Sequence, residues 1–327
     1  MINKISCYIG SDTDPHYNLA VEEYLMTHVG EDECILYLWQ NRHTVVIGRN
    51  QSAWKECRTG ELERDGGTLA RRLSGGGAVY HELGNLKFTF LVSDENYDLD
   101  RQMQVIAEAC LSMGIAVERS GRNDILADGR KFSGNAFYSH HGNSYHHGTL
   151  MLHVNKEKLG AYLNPSKAKL EAKGVASVRS RVVNLSELCP DITVEKMQTA
   201  MVAAFEKVYH LTAGMLEKSS FDASEIDALY ARNHSWEWNY GQKMPCTFSC
   251  GDRFAWGEAE IQLTVKEGLV KAAEVYSDAM EWSFAESLKE ALLGARFTVE
   301  VLQEKVKGAC PAEIAADLCA LLEKQDI

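Results

Sequence analysis

The segment Arg71–Asn85, RRLSGGGAVYHELGN, sets two guanidinium groups, three consecutive glycines and a short strand-like apolar run side by side. Glycine admits a ligand to the main chain with no Cβ in the way, and consecutive N–H groups in a turn can form a concave anion nest. Arginine adds a planar fork of donors matched to carboxylate or phosphate oxygens. The run is therefore a candidate anion cradle, although alone it reads equally well as a glycine-rich hairpin flanked by surface arginines. It is neither a P-loop, since no Gly-Lys-Ser/Thr follows, nor a G-x-G-x-x-G dinucleotide fingerprint. The candidate cations are Arg72, on the approach to the glycines, and Lys131, in GRNDILADGRKFSGNAFY (Gly121–Tyr138). Each taken singly could be a solvated charge.

These residues need elements to hold them. Thr13 or Asp14 is placed to cap a helix that begins at Pro15, turns Leu19 and Leu25 inward and runs to about Thr27. Ile35–Trp39 and Thr44–Ile47 read as strands separated by the polar residues Gln40 to His43. Phe88, Phe90 and Val92 alternate with Lys87, Thr89 and Leu91, the pattern of a strand buried on at least one face. Met103, Ile106, Cys110 and Met113 recur at helical spacing over Arg101–Met113, and Gly114 supplies the stop. Asp128-Gly129 between apolar runs signals a hairpin whose returning arm carries Lys131. Thr149–Val154 predicts another strand and Val194–Tyr209 a helix, with Ala172–Asn184 between them as a mobile loop bearing Lys173, Arg179 and Arg181. Beyond Ser235–Gly241 a hairpin is expected from Phe254 to Val265, turning at Lys266-Glu267-Gly268 and returning through Tyr276, with helices near Ala279–Leu293 and Pro311–Leu322.

Composition bounds the class. With 327 residues, 45% hydrophobic, 24% charged and five prolines, the chain suits one large and one smaller globular domain. A net charge of −12 opposes broad nucleic-acid binding, which needs excess Lys and Arg. No apolar stretch approaches the roughly 20 residues of a membrane span, and no signal peptide opens the chain, so a cytoplasmic location without nucleic-acid or membrane partners is expected. Nine scattered cysteines suit reduced, buried thiols, and the close pair Cys246 and Cys250 lacks further ligands at zinc spacing.

The motifs, in their order, resemble the lipoate–protein ligase A family. The resemblance is carried by LYLWQNRHTVVIGRNQSAWKEC (Leu36–Cys57), ARRLSGGGAVYHELGNLKFTFL (Ala70–Leu91), GRNDILADGRKFSGNAF (Gly121–Phe137), HHGTLMLHV (His146–Val154) and SVRSRVVNL (Ser177–Leu185), and a C-terminal resemblance from Arg253 extends it over nearly the whole chain. It implies an α/β fold: a mixed-sheet, biotin/lipoate ligase-like catalytic domain over residues 1–245 and a small α+β accessory domain over 246–327. The implied reaction activates lipoate with MgATP to lipoyl-AMP and pyrophosphate, then passes the lipoyl group to a lysine of an acceptor. The implied acceptors are lipoyl domains of 2-oxoacid dehydrogenase acyltransferase subunits or the glycine-cleavage H protein.

Residue by residue, the resemblance makes Lys131 the central group, contacting the lipoyl carbonyl and the nucleotide phosphate without covalent catalysis. It assigns ATP to Arg72, Gly77, Ala78, Val79, Tyr80 and Lys131, and lipoate to Lys131, Arg72, Gly76, His81 and His147. Asn123, Asp124, Arg179 and Arg181 are associated with the adenylate, with Asp124 as the expected Mg²⁺ ligand. His140, His141, His146 and His147 are expected as structural or pocket-lining imidazoles, with no zinc. A lid built around Arg179 and Arg181 and a swinging small domain are further implications. Two departures bear on pocket shape: Glu82 stands where many relatives carry aspartate, and Phe132 fills a variable position beside Lys131. The competing readings are an octanoyl or lipoyl transferase of the same fold that needs no ATP, and a non-catalytic lipoyl-domain-binding protein.

Overall fold

The computed structural model describes residues 1–121, 123–164, 182–240, 248–266 and 268–325. Its strands are β1 (Lys4–Ile9), β2 (Glu33–Trp39), β3 (Thr44–Ile47), β4 (Thr68–Arg71), β5 (Val79–His81), β6 (Asn85–Ser93), β7 (Val117–Ser120), β8 (Asp124–Ala127), β9 (Arg130–His140), β10 (Asn143–Met151), β11 (Ala213–Met215), β12 (Phe248–Phe254), β13 (Gly257–Lys266) and β14 (Leu269–Ser277). Eight of them form one sheet in the order β11-β1-β2-β6-β10-β9-β8-β7. It is mixed: β1 runs parallel to β11 and β2, and the remaining pairs are antiparallel.

Alternation along β6 divides the molecule. Leu86, Phe88, Phe90 and Val92 pack into the core under helices Leu99–Ser112 and Val194–Tyr209. The other face carries Lys87, Thr89 and Leu91 and, with Tyr37, Trp39 and Tyr145, meets helix Pro15–His28. That helix starts where Asp14 accepts hydrogen bonds from the His16 and Tyr17 amides, with Pro15 at the first helical position. A second sheet, β4-β3-β5, lies beside this face and brings the glycine run to it.

Asp128 and Gly129 both adopt positive φ (51° and 67°), as a two-residue turn between β8 and β9 requires. A register shift follows at Ile125/Leu126, where Leu126 pairs with Lys131 and Ile125 with Ser133. Phe132 is thus the extra residue of a bulge, fully buried in the main core. A bulge re-aims the neighbouring side chain, and here that side chain is Lys131.

Three expectations change. The strand expected at Thr149–Val154 instead spans Asn143–Met151, because the polar pair His146-His147 sits mid-strand with one imidazole on each face. The C-terminal hairpin is a three-stranded sheet, β12-β13-β14. Ser249, Gly251 and Asp252 disguise β12 as a turn, although Cys250 anchors it in the core. A third C-terminal helix, Val299–Ala309, lies between Ser283–Leu292 and Ala312–Glu323, held by buried Leu302 and Val306. Together these elements enclose a separate small-domain core. The expected boundary near residue 245, Cys246, and the loop from Ala172 through Arg181, with Lys173 and Arg179, lie outside the described residues. Among the described residues no helix is long and apolar enough to cross a membrane.

Candidate active site

A cavity of about 420 Å³ opens between the face of the large sheet that carries Trp39 and Lys87, the glycine loop, the β8–β9 hairpin and the small domain. Leu19, Trp39, Val46 and Val79 line it with apolar surface, and Lys131, Asp124, His147 and Lys87 with polar groups.

The glycine loop is built from inside. Arg72 is buried, and its guanidinium donates to the carbonyls of Val46, Gly75 and Gly77 and to Ser74 Oγ. Arg71 donates to the carbonyls of Gly48, Arg49, Gln51, Trp238 and Asn239. Burial lowers both guanidinium pKa values to about 10, and both remain charged at neutral pH. The two arginines that suggested an anion fork therefore act chiefly as backbone clamps, although Arg72 also lines the cavity. Gly75 admits no side chain, since a Cβ there would lie 2.3 Å from the Ala279 carbonyl oxygen. Gly76 sits at φ +91° and donates its amide to that same oxygen, so it is not part of an open nest. The next two amides, Gly77 and Ala78, have no acceptor among the described residues. Both residues line the cavity, and adjacent unsatisfied donors are what an anion requires.

The opposite wall is the β8–β9 hairpin. Lys131 Nζ lies 2.6 Å from Asp124 Oδ1, with about a third of the lysine side chain exposed. Gly134 leaves room for this, since a Cβ there would come within 3.0 Å of Nζ. The strand is pinned on its far edge, where the Val183 amide donates to the Lys131 carbonyl. Asn123 and Asn135 exchange bonds through the Asn123 carbonyl and the Asn123 side-chain amide, and Asn135 Oδ1 accepts from His146 Nε2 at 2.8 Å. His146 is fully buried against Phe88 and Phe90, and burial lowers its pKa to about 3. It is a structural imidazole holding the hairpin base.

His147 faces the other way. Its Nδ1 lies 2.8 Å from Glu22 Oε1 and its Nε2 2.9 Å from Ser74 Oγ. The serine, histidine and carboxylate are spaced as in a hydrolase triad. Ser74 is nevertheless fully buried, receives Arg72 Nε and does not line the cavity, so no substrate carbonyl can reach it. The series continues from Glu22 to Thr89 Oγ1 at 2.7 Å and on to Trp39 Nε1 at 3.1 Å, connecting the cavity floor to the glycine loop.

Gly76, Gly77, Ala78, Val79, His81, Asn123, Asp124, Lys131 and His147 all line the cavity, as does Arg72. Tyr80 is the exception, because alternation on β5 turns its ring into the opposite cluster against His43 and Tyr162. Glu82 accepts from the Asn155 amide and from Tyr80 OH, outside the cavity. Arg179 and Arg181 lie outside the described residues. The His140 and His141 rings lie 3.8 Å apart, tilted by 47°, at an exposed hairpin end. Among the described residues no three His, Cys, Asp or Glu side chains converge as metal ligands.

Sequence reasoning missed Glu22, Thr89, Lys87 and Asn135, and the small-domain contribution of Arg253, Trp256, Asp278 and Met280. A signal existed for two of them: Lys87 and Thr89 alternate with phenylalanines in a strand that is buried on both faces. No cysteine among the described residues lines the cavity, and burial pushes the thiols of Cys7, Cys34, Cys57 and Cys110 up to about 12.

Residues 14–206 match the lipoyl protein ligase A/B catalytic domain, and residues 243–317 match the bacterial lipoate protein ligase C-terminus. Among solved structures, P. falciparum LipL1 in complex with lipoate superposes with a TM-score of 0.87 at 26% identity, covering 98% of this chain and 100% of that one. A bipartite lipoate protein ligase from Thermoplasma acidophilum, described with its E2 lipoyl domain, gives 0.65 at 23% identity over 75% of this chain and 99% of that one. A lipoate-protein ligase A bound with ATP gives 0.63 at 23% over 74% and 99%. The latter two likenesses speak for the fold alone.

Proposed function

Starting from the fact that this chain belongs to the lipoyl protein ligase A/B family, we propose that it is an ATP-dependent lipoate–protein ligase, forming lipoyl-AMP and then a lipoyl amide on an acceptor lysine. The observation that carries this reading is the pairing, within one cavity, of the acceptor-less Gly77 and Ala78 amides with the Lys131 ammonium above an apolar floor of Leu19 and Trp39.

In the first step a lipoate carboxylate oxygen attacks the α-phosphorus; the new C–O–P linkage forms as the bond to the β-phosphate oxygen breaks and pyrophosphate leaves. Negative charge on the α-phosphate oxygens is met by the two amides and by Lys131. Fixed donors in a water-poor site stabilise such charge without reorganising at the moment of reaction. In the second step an acceptor amine attacks the acyl carbon, the acyl C–O bond to AMP breaks, AMP departs and the amine's proton passes to solvent. Lys131 then faces the oxygen that gains charge.

Asp124 is suited to a magnesium ion held mostly by phosphate oxygens, because such ions take one or two carboxylates plus substrate phosphates. Bound there, the ion would neutralise charge on the leaving pyrophosphate. The proposed acceptors are lipoyl domains of 2-oxoacid dehydrogenase acyltransferase subunits and the glycine-cleavage H protein. A transferase using a cysteine nucleophile fits poorly, since no described cysteine lines the cavity, and Ser74 is sealed from it. Incubating the chain with lipoate, ATP and an acceptor domain, and following acceptor mass and pyrophosphate release, tests the reading. Transfer should require ATP, and biotin should not replace lipoate.

A further inference from the structure

The cavity contains a second lysine that the reading above does not use. Lys87 projects from β6, its backbone paired with Trp39 on one side and Thr149 on the other, and all three side chains line the cavity. It is only 2% exposed. Lys131 has Asp124 as counter-ion, whereas Lys87 has no carboxylate at ion-pair distance among the described residues. Its one hydrogen bond runs to the Asn85 carbonyl at 3.3 Å, leaving two of its three protons without a partner. An uncompensated buried ammonium costs several kcal/mol, and an anion entering the cavity would supply the partner that it lacks.

His81 lines the same cavity and lies near enough to feel the charge of Lys87. Asn18 Nδ2 donates to Asn41 Oδ1, which turns the Asn41 amide nitrogen toward His81 Nδ1 at 3.2 Å. Nδ1 therefore accepts and the ring proton sits on Nε2. That nitrogen is buried, has no acceptor among the described residues, and belongs to a side chain on the cavity wall. Burial, with Lys87 and Arg72 nearby, holds the imidazole neutral by lowering its pKa well below the usual value. Lys87 is likewise displaced downward by burial, which disfavours its charged form, and an arriving anion restores it.

We propose that Lys87 and His81 form a carboxylate-receiving pair that positions the acyl substrate before activation, leaving Lys131 and the glycine-loop amides to the phosphate. This rests on the ligase reading for the identity of the substrate. Lys87 is a positioning residue, and the pair prefers a carboxylate to its neutral amide.

Calorimetric titration of the full chain with lipoate and with lipoamide, without nucleotide, tests the pair in wild type, Lys87→Met and Lys87→Gln. Wild type should bind lipoate at least tenfold more tightly than lipoamide. Lys87→Met should lose that ratio while keeping lipoamide affinity within about twofold, which also reports an intact pocket, and Lys87→Gln should fall between. ATP affinity should change less than twofold in either variant. Equal binding of both ligands by wild type, an unchanged ratio in Lys87→Met, equal weakening of both ligands, or a loss confined to ATP would each overturn the proposal. Pyrophosphate release by wild type with lipoate and ATP is scored separately and bears on the ligase reading alone.

Discussion

The glycine-loop wall and the hairpin wall of the cavity both carry cations, yet they use them differently. On the loop wall Arg72 is buried and its donors point back into the main chain that it shapes. On the hairpin wall Lys131 is partly exposed, paired with a single carboxylate, and aimed by a bulge into the open space. One charge makes a surface of amides; the other makes contact. A ligand that displaces the Asp124 contact finds a mobile point charge on one side and a fixed row of N–H groups on the other.

Removing the contacting charge should have the largest effect. Lys131→Ala is expected to lower lipoate-dependent ATP–pyrophosphate exchange by roughly 10²–10³-fold, the range for losing one preorganised stabilising group, while the thermal midpoint stays near that of wild type. Retained exchange would remove Lys131 from the chemistry and break the contrast. Arg72→Met should do the reverse in kind, losing about 2–5 kcal/mol of stability because the Gly75 and Gly77 carbonyls lose their donor and the clamp is gone. Denaturant titration checks this, and a stable but inactive variant would give Arg72 a contacting role.

Acid should loosen the hairpin wall. His146 has a folded pKa of about 3, against roughly 6.5 unfolded, so between these values the unfolded chain binds more protons than the folded one. Its contribution is complete above pH 6.5 and is lost as pH falls, by about 2 kcal/mol between pH 7 and pH 5. Denaturation midpoints at the two pH values should show this loss in wild type, and less of it in His146→Gln. Equal pH dependence in the two proteins would locate the acid sensitivity elsewhere. The smallest effect belongs to Tyr80→Phe, whose ring lies away from the cavity and whose hydroxyl reaches only Glu82. Exchange rates within twofold are expected, and a larger drop would show that the ring reaches the nucleotide.

The loop and the hairpin were legible in the sequence for different reasons. Asp128-Gly129 is a local turn signal, so both arms and the approach of Lys131 followed from it. The three glycines and two arginines marked an unusual backbone, but the direction of the guanidiniums depends on carbonyls distant in sequence, including Val46 and Trp238. Tyr80 looked like its neighbours until strand alternation placed it on the opposite face. Lys87 was visible only as a polar interruption of an apolar strand, because its burial comes from strands and loops packed on both sides. The small-domain wall depends on the Ala279 carbonyl meeting Gly76, a contact between residues far apart in the chain that no local pattern encodes.

The most direct test of the ligase reading is the nucleotide requirement of acyl transfer by the wild-type chain. Purified protein is mixed with a lipoyl domain and lipoate, with and without MgATP, and the domain is weighed by mass spectrometry while AMP and pyrophosphate are quantified. One lipoyl group is expected per acceptor lysine only when ATP is present, with AMP and pyrophosphate formed in equal amounts. Lipoyl transfer in the sample without ATP, or an acceptor left unmodified while ATP is present, would contradict the ligase reading.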